Sequence, residues 1–371
     1  MGKEQRRDPD YAFILTVLLL LGLSLIMVFS ASYIISAESS RGDPYFFLRR
    51  QAVWIGLGLV GMLALSRFPY HRLRRMSPFL LLVSFILLVL VYIPGIGVEI
   101  YDARRWIGLG PITVQPAEFC KLAFMIFTAA YMSSRSIRLE KFWSSSFVPL
   151  ALMGVAFFLI LKQPDYGTSL LLAAATVTVI FLAGLPFKQA AGIFLVSLPA
   201  MIILAIKEPY RLQRLTSFLD PWADPGDSGH QIIQSLFALG PGHIFGVGLG
   251  RSRQKLYYLP LPHSDFIFAI IGEELGFVGA VMVLLLFFIL FWRGIRIAML
   301  APDSFGSLLA AGITSLLAIQ VMMNIAVVTG SIPVTGVTLP LISAGGSSLF
   351  FTLCGFGILL NISRHLQEVG G

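Results

Sequence analysis

Asp265, Glu273 and Glu274 stand at the head of an apolar run that continues to Trp292, in the stretch LPHSDFIFAIIGEELG. Carboxylates are costly where a chain enters hydrocarbon, so each one there is a functional-site hypothesis by default. Only 19 residues of the chain are acidic, and three of them in one short stretch need a reason. Asp265 sits where a general base for an extracellular substrate would have to be. Ser264-Asp265 also reads as an ordinary helix N-cap. On a helix Glu273 lies about 12 Å further along and about 80° around, so Asp265 and Glu273 could border one cavity at different depths. Glu274 points to another face. For both glutamates the alternative is a buried pair with a cation from another span.

Just upstream, Arg251, Arg253 and Lys255 alternate with polar residues. Arginine presents a planar fork of donors that suits a phosphate or pyrophosphate; the same pattern serves equally to anchor lipid headgroups. A second constellation is WIGLGPITVQPAEFCKLAF (106–124). Pro116 suits the first turn of a helix, the helix dipole favours Glu118 there, and Lys121 shares its face. In an apolar segment such a pair faces the protein interior or an aqueous cavity. It either stabilises its helix or helps bind a substrate or a metal ion. In KQPDYGT (162–168) turn chemistry alone accounts for Pro164, Asp165 and Gly167. The stretch TGSIPVTGVTLPLISAGGSSLF (329–350) sets prolines, glycines and hydroxyls at what should be membrane depth. Irregular backbone is tolerated there only when it is buried in protein or lines a cavity, which predicts a re-entrant, cavity-lining loop. Walker, zinc and Ser-His-Asp patterns are absent, and of the five histidines only His263 is a plausible helper to Asp265.

The elements that must position these residues are membrane spans. The 371 residues are 57% hydrophobic and 12% charged, about half the charge of a soluble domain. Stretches of about 20 mainly apolar residues fall near 11–35, 49–65, 78–97, 117–132, 145–161, 168–185, 189–206, 265–292, 306–328 and 347–363. The expected fold is all-α, a single polytopic membrane domain over 1–371 with about ten transmembrane helices. A large extracellular loop, 207–264, precedes the eighth. Within it HQIIQSLFALG (230–240) has the pattern of an amphipathic helix lying at the outer surface. The first segment is too long for a signal-peptide core and reads as a retained span. Lys and Arg concentrate in the short segments that a cytoplasmic N-terminus leaves inside, which puts both termini in the cytoplasm. The net charge of +8 gathers at segment ends, so it reads as membrane orientation and gives no reason to expect nucleic acid. Cys120 and Cys354 lie in apolar segments and read as small buried hydrophobes.

Four blocks, in this order over ten spans, resemble the SEDS family (shape, elongation, division and sporulation; the RodA/FtsW/SpoVE group), with a form nearer the FtsW/SpoVE branch. They are RWIGLGPITVQPAEFCKLA, QPDYGT, GHQIIQSLFALGPGHIFGVGLGRSRQKLYYLPLPHSDFIFAIIGEELGFVG and TGVTLPLISAGGSSL. The resemblance implies a peptidoglycan glycosyltransferase of the bacterial plasma membrane that polymerises lipid II on the outer face, serving division, sporulation or cell shape. It implies Asp265 as the essential carboxylate, the general base, and Glu118 with Lys121 as a functionally required pair. Substrate contacts are expected from Glu118, Lys121, Arg251, Arg253, Lys255, Glu273 and Ser347. A divalent cation, Mg2+ or Mn2+, is an expected aid to the leaving pyrophosphate. The family commonly works with a class B penicillin-binding protein that supplies transpeptidase activity. Ala344 departs from the family's usual Tyr, and Tyr166 from its more usual aliphatic residue. The competing reading is a lipid II flippase using the same cavity; charge clustered on the outer face favours the enzyme.

Overall fold

The computed structural model describes residues 10–39, 42–100, 103–110, 112–134, 146–192, 195, 209–226 and 229–366. Three helices open the chain: α1 (Tyr11–Ser39), α2 (Phe46–Arg67) and α3 (Tyr70–Leu90). A three-stranded antiparallel sheet follows, of β1 (Gly97–Ile100), β2 (Ala103–Leu109) and β3 (Ile112–Val114), in the order β1-β2-β3. Next come α4 (Pro116–Met132), α5 (Phe147–Leu161), α6 (Tyr166–Leu182), α7 (Pro209–Leu219) and α8 (His230–Leu239). The chain then runs through α9 (Ile267–Leu300), α10 (Ser304–Val328) and α11 (Gly346–Ser363).

Nine of these helices coincide with expected spans, and the span expected at 189–206 falls largely outside the described residues. α1, α2, α3, α9, α10 and α11 are long and apolar enough to cross a membrane, while α5 and α6 are shorter apolar helices. The architecture is the expected helical membrane bundle with three differences. First, α3 begins at Tyr70 and takes in the basic run HRLRR, whose Leu and Arg are good helix formers. Second, the sheet lies where only a loop was expected. In ARRWIGL, Ala103 and Ile107 are buried and Arg104 and Gly108 exposed, the alternation of a strand. Third, the stretch 207–264 carries α7 in addition to α8, the helix that the pattern of 230–240 predicted. Ile232 and Ile233 of α8 are buried, and Ser235 Oγ donates to the Val328 carbonyl of α10 at 2.8 Å.

The apolar run from Ile267 to Leu300 looks uninterrupted, yet α9 breaks at Gly276, where φ is 67° and ψ −164°. A break frees amide and carbonyl groups on both sides, and in hydrocarbon these must be satisfied by protein. The segment 243–248 satisfies them. The Val247 and Gly248 N–H groups donate to the carbonyls of Glu273 (2.9 Å) and Glu274 (3.1 Å). The Phe277 and Val278 N–H groups donate to the carbonyls of His243 (2.9 Å) and Ile244 (3.1 Å).

The glutamate side chains fasten the next piece of the same loop. Glu273 accepts from Ser252 Oγ at 2.5 Å and from the Arg253 N–H at 2.8 Å. Glu274 pairs with Lys255 Nζ at 2.7 Å, both side chains almost wholly buried, and also accepts from Ser30 Oγ of α1. A buried charge needs such a partner. The break, the loop and α1 are therefore one interlocked unit.

Gly276 is the residue on which this arrangement tolerates least change. Its backbone conformation is close to glycine-only, and a Cβ there would lie 2.3 Å from the Gly246 nitrogen. Gly276→Ala is expected to lower stability by at least about 3 kcal/mol, strain and collision together. Thermal unfolding in detergent measures this. Gly56→Ala in α2, where a Cβ meets nothing within 4 Å, is the control and should stay within about 1 kcal/mol of wild type.

Candidate active site

An open cavity of about 1480 Å³ is lined by the helix bundle, the sheet and the loop before α11. Its lining brings together Asp265, His263, Glu118, Lys121, Ser347, Asp165, Arg105 and Arg214. The stretch 332–338 and residues 344–348 also line it, so the loop expected to be cavity-lining is so. This loop is held by side-chain amides one turn apart on α10. Asn324 Nδ2 donates to the Val337 carbonyl at 2.8 Å, and Gln320 Nε2 to the Thr338 carbonyl at 3.1 Å.

Asp265 precedes α9 instead of starting it. The N-cap position is Phe266, with no side-chain cap, so the capping alternative for Asp265 does not hold. Its backbone is pinned. The Asp265 carbonyl accepts from Asn324 Nδ2 at 2.7 Å, the Ser264 carbonyl from Ser343 Oγ at 2.7 Å, and the His263 carbonyl from the Ala344 N–H at 2.9 Å. Gly336 passes beside the carboxylate, where a Cβ would sit at ordinary contact distance, 3.7 Å, from Oδ2; its φ of +72° is what favours glycine there. The carboxylate itself accepts from Ser264 Oγ at 2.9 Å and forms no ion pair among the described residues. Burial pushes its carboxyl above the usual carboxylate range. The Ser264 hydroxyl and the charges of Arg214 and Arg105 oppose that rise, and Asp165 adds to it. His263 packs against Phe47 with the rings tilted and their centroids 4.3 Å apart, and burial lowers it to about 4, so its imidazole is neutral at physiological pH.

Glu118 and Lys121 form the expected pair on one face of α4, Nζ to Oε2 2.9 Å, with both side chains buried. Lys121 Nζ also donates to Gln320 Oε1 at 3.1 Å, which ties α4 to α10 and through Gln320 to the loop at Thr338. Ser347 lines the cavity at the start of α11, and its Oγ accepts from the Gln115 N–H at 3.2 Å.

Three lining residues were not singled out for the site by sequence. Asp165 caps α6 through Thr168, as turn chemistry requires, but it is also reached by Gln115 Nε2 at 3.0 Å and borders the cavity. Arg105 of β2 donates to the carbonyls of Gln163 (2.9 Å) and Pro164, so the sheet clasps the QPDYGT turn. Arg214 of α7 donates to the Val334 carbonyl at 2.8 Å. Both arginines looked like ordinary outer-loop charges, because only the folded sheet and α7 bring them beside Asp265.

Four residues expected at the substrate lie elsewhere. Arg251, Arg253 and Glu273 border a separate recess, and Lys255 is buried against Glu274. The helical spacing that put Glu273 near Asp265 fails because α9 starts only at Ile267, and because Glu273 turns to the 252–253 backbone. For a divalent cation, no group of three or more His, Cys, Asp or Glu side chains converges among the described residues. The donors among the described residues therefore make no metal cage by themselves.

Comparison with known proteins gives the chain its relatives. The family model described as cell cycle protein (FtsW, RodA, SpoVE) matches residues 11–368. Stage V sporulation protein E of Bacillus subtilis (strain 168) is 48% identical, over 97% of this chain and 98% of its own. A probable peptidoglycan glycosyltransferase FtsW of Geobacter sp. (strain M18) is 41% identical, over 96% and 97%. Among solved structures, one chain comes from a peptidoglycan synthase complex described as coordinating polymerization and crosslinking. It superposes with a TM-score of 0.79 at 32% identity, over 97% of this chain and 99% of that one. The rod shape determining protein RodA of Thermus thermophilus gives a TM-score of 0.72 at 31% identity, over 97% and 98%. The chain belongs to the FtsW/RodA/SpoVE family of cell cycle proteins.

Proposed function

We propose that this multi-pass membrane protein is a peptidoglycan glycosyltransferase that polymerises lipid II, with Asp265 as general base. The observation that carries the assignment is the state of Asp265. Glu118 and Glu274 are each locked to a lysine, whereas Asp265 faces the cavity with one hydroxyl partner and no ion pair among the described residues. A carboxylate raised by burial and free of a cation is a better proton acceptor than a salt-bridged one.

The chemistry follows from the lining. Asp265 takes the proton from the acceptor sugar 4-hydroxyl as its oxygen attacks the donor anomeric carbon from the face opposite the leaving group. The C–O bond to undecaprenyl pyrophosphate breaks with inversion, and the pyrophosphate leaves with the bonding pair. Arg105 and Arg214, close enough to bias Asp265 electrostatically, supply positive charge for that leaving group. The Glu118–Lys121 pair and Ser347 present polar contacts to the sugars or phosphates. One base suffices when cations stabilise the departing group, and the paired carboxylates of hydrolases are not needed. Both termini then lie in the cytoplasm, a reading that the basic residues of the short inner segments support. A crosslinking partner, a class B penicillin-binding protein, accords with the synthase complex to which the chain is similar.

Purified protein with its partner and labelled lipid II in detergent, where transport has no meaning, should form glycan strands. Asp265→Asn should cut the rate by about 10²- to 10⁴-fold while leaving substrate retention nearly intact. Equal product from wild type and variant excludes Asp265 as the base, and vesicle scrambling of lipid II without polymer favours the flippase. Arg214→Gln should lower kcat/KM by about 10²-fold, as loss of one transition-state donor does. An unchanged kcat/KM removes Arg214 from the pyrophosphate site.

A further inference from the structure

Phe29 and Tyr33 stand four residues apart on α1, one turn from each other on the same face. Their rings meet edge to face at 5.5 Å, and Phe29 stacks almost parallel on Tyr45, also at 5.5 Å. Tyr45 is the N-cap residue of α2 and directly precedes Phe46. Phe46 packs edge to face on Phe47 at 5.3 Å, and both line the Asp265 cavity. Phe47 in turn rests on His263, two residues before Asp265. Every step from Tyr33 to the cavity is thus a ring contact or a peptide bond.

The series is open along its length, with Tyr33 46% exposed, Tyr45 48% and Phe46 41%. The charges beside it are already matched. Asp43 Oδ1 accepts from Arg49 Nη2 at 2.7 Å and from the Tyr45 N–H at 3.0 Å, which also fixes where Tyr45 stands. Glu38, near the end of α1, accepts from the Tyr257 hydroxyl. Aromatic faces among mutually satisfied charges offer little to an ionic ligand. They suit an uncharged ring whose C–H face lies on an aromatic and whose hydroxyls reach polar side chains, and a pyranose is such a ring.

The proposed reaction says which pyranose. A polymerase keeps one end of its product at the reacting atoms, so the sugars already joined must lie on surface continuous with the cavity. We propose that the aromatic track from Phe47 and Phe46 to Tyr45 and Tyr33 is a binding site for the β-1,4-linked glycan strand as it leaves the cavity. Tyr45 and Tyr33 supply stacking faces, and their hydroxyls with the Asp43–Arg49 pair meet sugar hydroxyls. The occupant rests on the reading of this chain as a glycan polymerase, whereas binding itself is measured without catalysis.

Isothermal titration of the full-length protein in detergent tests it, with chitohexaose as probe, a soluble β-1,4-linked hexasaccharide free of lipid, phosphate and peptide. Wild type should bind it about tenfold or more tighter than N-acetylglucosamine, because only the longer probe spans several rings. Tyr45→Ala should weaken hexasaccharide binding about tenfold, and Tyr45→Phe, which keeps the ring, should stay within about twofold. Tyr45→Leu keeps apolar bulk without a ring face and should behave as Tyr45→Ala does, which separates a lost platform from a lost fold. Trp222→Ala, at an exposed ring packed on Phe237 of α8, is the control and should leave binding unchanged. With lipid II and the partner present, Tyr45→Ala should shorten the strands while the rate of the first coupling holds. Absence of hexasaccharide binding by wild type overturns the proposal, as does binding that survives Tyr33→Ala/Tyr45→Ala. Variants that lose thermal stability yet keep binding and strand length would make the rings an interfacial belt and overturn it too. Hexasaccharide bound through the tyrosines, with no polymer formed from lipid II, would uphold the site and refute the polymerase reading.

Discussion

Inside a bilayer no water can complete a broken hydrogen bond, so every departure from helix must be matched by a second segment of the same chain. Two irregular regions among the described residues obey that constraint, and both lead to the site. The break at Gly276 is filled by 243–248 and then fastened by Glu273, Glu274 and Lys255. The loop before α11 is held by Gln320 and Asn324 from α10, and it returns hydrogen bonds to the carbonyls of His263 and Ser264. Asp265 lies between the two. Its position is set by backbone bonds from two directions, not by its own side chain.

The same constraint sorts the buried charges into two kinds. Glu118, Glu273 and Glu274 spend their lone pairs on the protein, through Lys121, the 252–253 segment and Lys255. These contacts hold elements together, and they offset the desolvation of each charge. Asp265 is different, because Arg105 and Arg214 are turned to backbone carbonyls of neighbouring turns. The arginines bias the carboxylate electrostatically while donating to those carbonyls. In the proposed function this carboxylate and these guanidiniums serve as base and cationic helpers around one cavity.

Much of the architecture was legible because span length and apolarity decide helices in a membrane. The Glu118–Lys121 pair was legible from its three-residue spacing alone, and the irregular loop at 329–350 from its prolines and glycines. The break at Gly276 was not. A single glycine in an apolar run looks like any other, and only the approach of Gly246 shows why no side chain fits. The misplacement of Glu273 has a separate cause, since helical spacing was projected from Asp265, which precedes the helix. Arg105, Asp165 and Arg214 were hidden for another reason. They are distant in sequence and reach Asp265 only through a sheet, a turn and α7. The cluster at Arg251, Arg253 and Lys255 looked like one phosphate site, but folding divides it between a buried pair and a surface recess.

The most direct test of Asp265 as the base is the pH dependence of kcat/KM for glycan polymerisation in detergent. A base works only when ionised, so the rate must fall as pH drops through its pKa. Because burial raises the Asp265 carboxyl, the acid limb should lie clearly above the roughly 3.9 of a free aspartate. Asp265→Glu should move that limb while retaining part of the rate. A profile flat down to about pH 4, or an acid limb that stays in place in the Asp265→Glu enzyme, would contradict the assignment.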